Sequence, residues 1–310
     1  MRTFRSFAKL NLHLEVLRRR PDGYHELRTV FQAVDLFDLV RIGWFAGAGI
    51  ELEVAGADLP RDRRNLAYRA AEAFVARFPE TCARRGLRIE LDKRIPVQGG
   101  LGGGSSNAAT VLLGLAALSG LDARAPDLAA ALGETARALG ADVPFFLVGG
   151  AAVGEGRGDR LTALDDALVR PLAPGRALWL AAPAFGISTR EAFAHVAPRS
   201  EAPPFPALAA ALAGEPVALE DLIGDNDLEG PVLAGRPELM ALYTQLVRSG
   251  ARRVRMSGSG STLFALYGDP AAARPIADLL PPGTVWMQVA TLGRAEWWRA
   301  GGFDSSEGGS

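Results

Sequence analysis

The chain declares its first element by alternation. Ala8, Leu10, Leu12, Leu14 and Val16 are apolar, and Lys9, Asn11, His13 and Glu15 fall between them. A period of two predicts a strand over 8–16 with one buried face, and it sets Lys9, Asn11 and His13 together on the other. A polar strand face is ordinarily a solvated one, so periodicity alone gives these three no chemistry. Next comes Arg18-Arg19-Arg20-Pro21-Asp22-Gly23-Tyr24-His25, whose Pro-Asp-Gly predicts a turn that delivers an aromatic ring and an imidazole side by side. A turn histidine, taken alone, is more often surface than ligand.

The period then changes. Leu66, Ala70 and Phe74 share a stripe, which predicts a helix over 66–78 with Asn65 as its cap. Residues 87–91 alternate as a half-buried strand, and Val111, Leu112, Leu115 and Leu118 predict a helix over 108–119 that stops at Gly120. A third helix is expected over 127–139, closed by Gly140. Asp142 follows at the foot of an apolar run, where a carboxylate is costly to bury without a partner. It is either a turn aspartate or a functional group beside a cation such as Lys9.

Beyond the glycine-rich 149–159 a second series begins. It comprises a strand over 177–182, then Ser188-Thr189-Arg190-Glu191 as a capping box for a helix carrying Phe193. A Pro/Ala-rich insertion (197–220), Asn226-Asp227-Leu228-Glu229 and a helix over 237–249 follow. Strands over 254–256 and 262–267 flank a small-residue loop at 257–261, and a helix over 270–280 precedes a strand over 284–291. With the insertion set aside, the order is β-α-β-β-α-β, the split pattern of a ferredoxin-like domain. The domains are drawn at 1–157 and 158–300, with 301–310 as a disordered tail.

Between the strand at 87–91 and the helix at 108–119 lies Pro96-Val97-Gln98-Gly99-Gly100-Leu101-Gly102-Gly103-Gly104-Ser105-Ser106, followed by Asn107. Five glycines in the six residues 99–104 leave backbone N–H groups uncovered and able to approach a ligand closely. Strand, glycine loop and helix N-terminus in that order aim free N–H groups and the positive end of a helix dipole at one point, which suits a phosphate. Two common phosphate motifs are excluded. No Lys-Ser/Thr pair follows Gly104, and the sixth place of G-x-G-x-x-G counted from Gly100 is Ser105. A flexible linker would not open directly into a long apolar helix.

Composition narrows the setting. A net charge of −1 gives no electrostatic case for nucleic acid or an anionic membrane. Cys82 is alone, which excludes a disulfide framework within the chain and fits a reduced, cytoplasmic setting. The polar residues at 9, 11, 13 and 15 break up any signal-peptide core, and no run approaches the ~20 apolar residues of a membrane span.

Taken together, these segments resemble one family. The core Gly102-Gly103-Gly104-Ser105-Ser106 with Asn107-Ala108-Ala109 is similar to the phosphate loop of the GHMP kinases, and Ala8–Leu12, Asp22–Leu27, Gly140–Pro144, Asn226–Glu229 and Met256–Gly260 occur in that family's order. Gln98 stands where many members carry a small residue. The order is that of the branch acting on 4-diphosphocytidyl-2-C-methyl-D-erythritol. The resemblance implies an α+β, two-domain fold: an N-terminal domain related to ribosomal protein S5 domain 2, a ferredoxin-like C-terminal domain, and the active site in the cleft between them. It implies transfer of the ATP γ-phosphoryl group to the substrate's 2-hydroxyl. Asp142 would accept or orient the hydroxyl proton, Lys9 would hold that carboxylate ionised, and residues 96–106 would bind ATP. Mg²⁺ would bridge phosphate oxygens, with no metal ligands assigned in the chain. Asn11, Tyr24, His25 and Phe193 would bind substrate, Tyr24 and Phe193 sandwiching the cytosine while His25 bonds its edge. The partner expected is a small molecule, with neither nucleic acid nor membrane, in a monomer or weak homodimer. Two rivals are a homoserine- or mevalonate-type GHMP kinase, which gives no reason for Tyr24-His25 beside the Lys9 strand, and an inactive nucleotide-binding regulator, which gives none for keeping both Lys9 and Asp142.

Overall fold

The computed structural model describes residues 1–82, 85–197 and 203–303. Its strands are β1 (Arg2–Arg19), β2 (His25–Ala46), β3 (Ile50–Ala55), β4 (Arg85–Asp92), β5 (Ala151–Gly156), β6 (Arg160–Ala163), β7 (Val169–Arg170), β8 (Ala177–Ala182), β9 (Val217–Ala218), β10 (Arg253–Met256), β11 (Leu263–Tyr267) and β12 (Val285–Val289). The helices are α1 (Leu66–Arg77), α2 (Gly103–Leu118), α3 (Pro126–Leu139), α4 (Phe145–Val148), α5 (Thr189–Phe193), α6 (Pro206–Leu212), α7 (Glu229–Gly235), α8 (Pro237–Arg248), α9 (Pro270–Ala273) and α10 (Arg294–Gly301).

The first sheet has the order β3-β4-β2-β5-β6, with β1 antiparallel to β2 along nearly its whole length. Helices α1, α2 and α3 cover one face, where Phe74, Leu112, Leu115 and Leu132 meet Ile42, Leu87 and Ile89. Asn65 caps α1 as expected, its side chain accepting from the Ala67 N–H at 3.0 Å, a contact worth ~1 kcal/mol. The other face packs against the second sheet: Ala8, Leu10 and Leu12 of β1 touch the cluster that holds Leu178, Leu180, Phe264 and Val289.

That second sheet is antiparallel throughout, in the order β10-β11-β8-β12. Renumbered within the domain this is 2-3-1-4, the arrangement that the β-α-β-β-α-β order predicts. The helix expected over 270–280 is instead one α-turn, α9, followed by a 3₁₀ segment at Arg274–Leu279. A proline at position 275 has no N–H with which to continue α-type bonding. Within the insertion, α6 buries Leu208 in the inter-sheet core and β9 pairs with β7, so the described part of 197–220 is built into the molecule; 198–202 lie outside the described residues.

The chain also crosses the divisions drawn from its sequence. β6, beyond residue 157, is hydrogen-bonded to β5 in the first sheet. From the far end, α10 returns to the first core, where Trp297 is buried and Phe303 stacks on Phe4 with ring centroids 5.7 Å apart. Ordered packing therefore runs through residue 303, and 304–310 lie outside the described residues.

The apolar residues of β1 meet the second sheet, and the polar face expected to be solvated is buried as well. Lys9, Asn11, His13 and Glu15 are all below a tenth exposed. A bulge between Asn11 and His13 breaks the alternation. Lys9 and Asn11 face the glycine loop, whereas His13 turns to Phe205, 4.7 Å from its ring. The three do not share one surface.

Candidate active site

Helix α2 starts five residues before its apolar spacing does. Glycine, serine and asparagine carry no hydrophobic period, yet residues 103–107 are helical and Ser106 and Asn107 are buried. Its N-cap is Gly102 at φ +72°, and no side chain bonds the first turn. The N–H groups of that turn are thus left to whatever enters the cleft. Two glycines are demanded by what they touch. A Cβ on Gly100, at φ +75°, would stand 2.0 Å from the Ser257 carbonyl oxygen, and one on Gly102 would stand 2.8 Å from the Phe146 ring. A Cβ on Gly104 would meet only Leu66, at 3.9 Å. Gln98 holds φ +55°, a left-handed conformation uncommon outside glycine.

The helix terminus opens into a cavity of about 1030 Å³ between the two domains. Pro96 through Ser105 line it, as do Lys9, Asn11, Tyr24, His25, Asp142 and Phe193. Ser106, predicted with them, is absent from the lining: its hydroxyl donates to the Phe7 carbonyl oxygen at 2.6 Å and fastens α2 to β1.

At the centre stands Lys9. Its ammonium donates to the Gly100 carbonyl oxygen at 2.8 Å and to Asn11 Oδ1, and lies 3.7 Å from Asp142 Oδ2. Burial pushes the Lys9 pKa below the usual lysine value, and the neighbouring Asp142 carboxylate opposes that shift. Asn11 is itself held, its amide donating to Thr29 Oγ1 at 2.7 Å. Asp142 is a little over a third exposed and faces the cavity.

The small-residue loop 257–261 seats against this cluster. Ser257 Oγ donates to the Gly100 carbonyl oxygen at 3.1 Å, and a Cβ on Gly258 would stand 3.1 Å from Lys9 Nζ. Asn226-Asp227-Leu228-Glu229 holds that loop in place. The Asn226 amide donates to the Met256 and Gly258 carbonyl oxygens at 2.7 and 2.8 Å, Asp227 accepts from Val16 N–H at 2.8 Å, and Glu229 accepts from Met256 N–H at 2.6 Å. Burial raises the Glu229 pKa.

At the other end of the cavity the arrangement departs from the expected sandwich. The His25 and Phe193 rings stack on each other, with centroids 5.1 Å apart and planes 20° apart. One face of Phe193 is therefore taken by the imidazole meant to read the base edge. Tyr24 is 58% exposed, with the Arg157 guanidinium 5.4 Å from its ring centroid. Burial, and then the charge of Arg19, lower the His25 pKa.

Sequence reasoning missed Lys93 and Asp38. Lys93 lines the cavity beside Gly103, and its ammonium donates to the fully buried Asp38 carboxylate and to Asn107 Oδ1 at 2.8 Å. The cationic pair Lys93-Arg94 at the loop's entrance was the available signal; nothing in the pattern singled out Asp38.

Residues 65–150 match the family model for the GHMP kinases N terminal domain, and residues 207–280 that for the GHMP kinases C terminal. A 4-diphosphocytidyl-2-C-methyl-D-erythritol kinase of Moorella thermoacetica is 39% identical over 286 residues, covering 90% of this chain and 94% of that protein. A crystal structure of 4-(cytidine 5'-diphospho)-2C-methyl-D-erythritol kinase superposes with TM-score 0.72 at 37% identity, covering 94% of this chain and 100% of that one. Homoserine kinase from Cytophaga hutchinsonii superposes with TM-score 0.66 at 18% identity, with coverages of 94% and 95%, and shares the fold alone. With the uncapped α2 terminus, the Lys9–Asp142 pair and the Tyr24-His25 turn gathered on one cavity, the chain belongs to the 4-diphosphocytidyl-2-C-methyl-D-erythritol kinase family of GHMP kinases.

Proposed function

We propose that the protein transfers the γ-phosphoryl group of ATP to the 2-hydroxyl of 4-diphosphocytidyl-2-C-methyl-D-erythritol, in non-mevalonate isoprenoid precursor synthesis. The observation that carries this reading is the 3.7 Å Lys9–Asp142 pair facing an uncapped helix terminus in one cavity. Phosphoryl transfer asks the protein mainly for in-line positioning and for charge to balance the phosphoryl oxygens. The first-turn N–H groups of α2 and residues 96–105 receive the ATP phosphates. Asp142 accepts the proton of the attacking hydroxyl, and the Lys9 ammonium steadies the charge that gathers on the reacting oxygens.

The donor set fits Mg²⁺ carried in on the nucleotide. Among the described residues no three His, Cys, Asp or Glu side chains form a metal cage. Mg²⁺ is commonly held by substrate phosphates with one or two protein oxygens, and Ser105 on the cavity wall would supply one. The ion supplies charge neutralisation on the phosphates. Tyr24, His25 and Phe193 receive the cytosine, which requires the His25–Phe193 stack to part or the base to lie on their outer faces. Among the described residues no helix is long and apolar enough to cross a membrane; a cytoplasmic enzyme working as a monomer or weak homodimer completes the reading.

The test is to supply Mg-ATP with the cytidyl substrate, homoserine or mevalonate separately and follow ADP. ADP with the cytidyl substrate alone is the expected result. Turnover of homoserine or mevalonate in its place would overturn the assignment.

A further inference from the structure

Asp38 of β2 is fully buried beneath the loop and touches both of its ends. Its Oδ1 accepts from the Arg94 and Ile95 N–H groups at 2.7 and 2.9 Å, where the chain leaves β4 and enters the loop. Its Oδ2 accepts from the Asn107 amide at 2.9 Å, within the second turn of α2, and from the Lys93 ammonium. Asn107 closes the circuit by accepting from Lys93 and donating to Ser6 Oγ at 2.9 Å. One carboxylate thus fastens the entry and the exit of residues 96–106, and it neutralises the buried cation that lies against the first turn of α2.

We propose that Asp38 is a positioning residue for ATP: it holds the two ends of the phosphate loop at the spacing that directs the first-turn N–H groups of α2 into the cavity. A buried ion pair is poor evidence of stabilisation by itself, because desolvation offsets the attraction. The backbone contacts are what set this pair apart. A loop of five glycines has little side-chain packing of its own: Leu101 and the bonds from Lys9 and Ser257 hold its middle, and Asp38 ties its two ends. The inference rests on the ATP-binding part of the proposed function, and it assigns Asp38 no contact with either substrate.

The test separates the clamp from the charge. In Asp38→Asn/Lys93→Met the buried charges are gone, yet the carboxamide introduced at position 38 keeps an oxygen that accepts from the Arg94 and Ile95 N–H groups, and its amino group can donate to Asn107. Asp38→Ala/Lys93→Met is equally neutral but lacks the clamp. Both variants share whatever the loss of the Lys93 ammonium costs, so calorimetric ATP binding, measured without acceptor, is expected to be at least tenfold weaker in the second variant than in the first. KM for the cytidyl substrate should stay within twofold in both. A purely structural role would lower the melting temperature and the active fraction while leaving the ATP Kd of the folded protein unchanged. Equal ATP affinity in the two variants would overturn the proposal, as would a loss shared equally by both substrates. If the alanine variant does not fold, Asp38→Ser/Lys93→Met takes its place, a short hydroxyl that cannot span both N–H groups, with the same tenfold loss expected. Absence of ATP binding by the unaltered protein would instead strike the proposed function.

Discussion

The two ends of the cavity are built differently. At the glycine-loop end, Lys9, Asn11, Asp38 and Lys93 are all below a tenth exposed, and each is tied to backbone or to another buried side chain. At the far end, Tyr24 is 58% exposed and the His25 and Phe193 rings are satisfied mainly by each other. A site held by buried polar networks keeps its geometry when empty, because every displaced group would lose a partner. Rings stacked in a half-open cleft have a smaller barrier to rearrangement. On the proposed reading ATP meets a finished surface, whereas the cytidyl group meets rings that part or receive it on their outer faces. Substitutions at the first end should act on catalysis or ATP affinity, and those at the second on the KM of the acceptor.

The largest effect is expected at Lys9 and Asp142. Asp142→Asn and Lys9→Ala should each lower kcat at least ~100-fold, the scale of lost acid–base or electrostatic assistance, with ATP affinity nearly unchanged. Lys9 carries a second, opposite consequence. Its folded pKa lies below 10.5, so the stability contribution is present above 10.5 and is lost as pH falls through the lowered value. At neutral pH the fold bears that burden, and Lys9→Met should raise the melting temperature while removing activity. A Lys9→Met protein that melts lower than the unaltered one would show that the ammonium supports the fold rather than the reaction.

Next comes the loop. A Cβ on Gly103 would press on Ile95 at 3.1 Å and on Lys93 at 3.3 Å, so a larger residue there disturbs the scaffold as well as the site. Gly104 separates the two, since only Leu66 lies near its missing Cβ, at 3.9 Å. Gly104→Val should fold normally by circular dichroism and weaken ATP binding at least ~100-fold, a difference of about 2.7 kcal/mol. Normal ATP affinity in that folded variant would exclude the α2 terminus as the phosphate site.

Those residues were legible to unequal degrees. Strand, glycine loop and helix stood out because period and composition change abruptly there, and the β-α-β-β-α-β order predicts the second sheet. The buried polar face of β1 was not legible. Alternation reports one apolar face and cannot report that the glycine loop and the loop at 257–261 close over the other, so Lys9 and Asn11 look like surface residues until those loops are seated. The bulge after Asn11 turns His13 away without any glycine or proline to announce it. Asp38 sits in a strand of ordinary pattern, and its importance comes from residues 56, 57 and 69 positions away, which no local period encodes. The sandwich of Tyr24 and Phe193 was expected from two motifs separately; neither motif says that His25 and Phe193 meet each other first.

That contact frames the third expectation. His25→Ala and Tyr24→Ala should each raise the KM of the cytidyl substrate about tenfold, or about 1.4 kcal/mol, with ATP affinity unmoved. Phe193→Ala tests the stack itself. If the rings must part before the base enters, losing Phe193 removes a base contact and a competing contact together, and KM should rise less than in His25→Ala. A larger rise in Phe193→Ala would mean that the base lies on the outer face of Phe193 and that the stack stays closed.

The smallest effect concerns pH and divides the two ends most finely. Burial against Phe193 and the nearby Arg19 charge both disfavour protonated His25, which keeps it neutral to a lower pH than an ordinary histidine. In the neutral form one ring nitrogen donates and the other accepts, so it can take a hydrogen bond from the cytosine amino group; the imidazolium can only donate. kcat/KM for the cytidyl substrate should accordingly fall on the acid side with an inflection below 6.5, while the ATP Kd shows none there. Arg19→Gln removes one repulsive charge, so protonation becomes easier and the inflection should move upward toward the ordinary histidine value. At pH 6 the variant should then be poorer than the unaltered enzyme, with a much smaller difference at pH 8. A downward move of the inflection in Arg19→Gln would assign the titration to another group, and an inflection shared by the ATP Kd would show that the two ends of the cavity are coupled rather than separate.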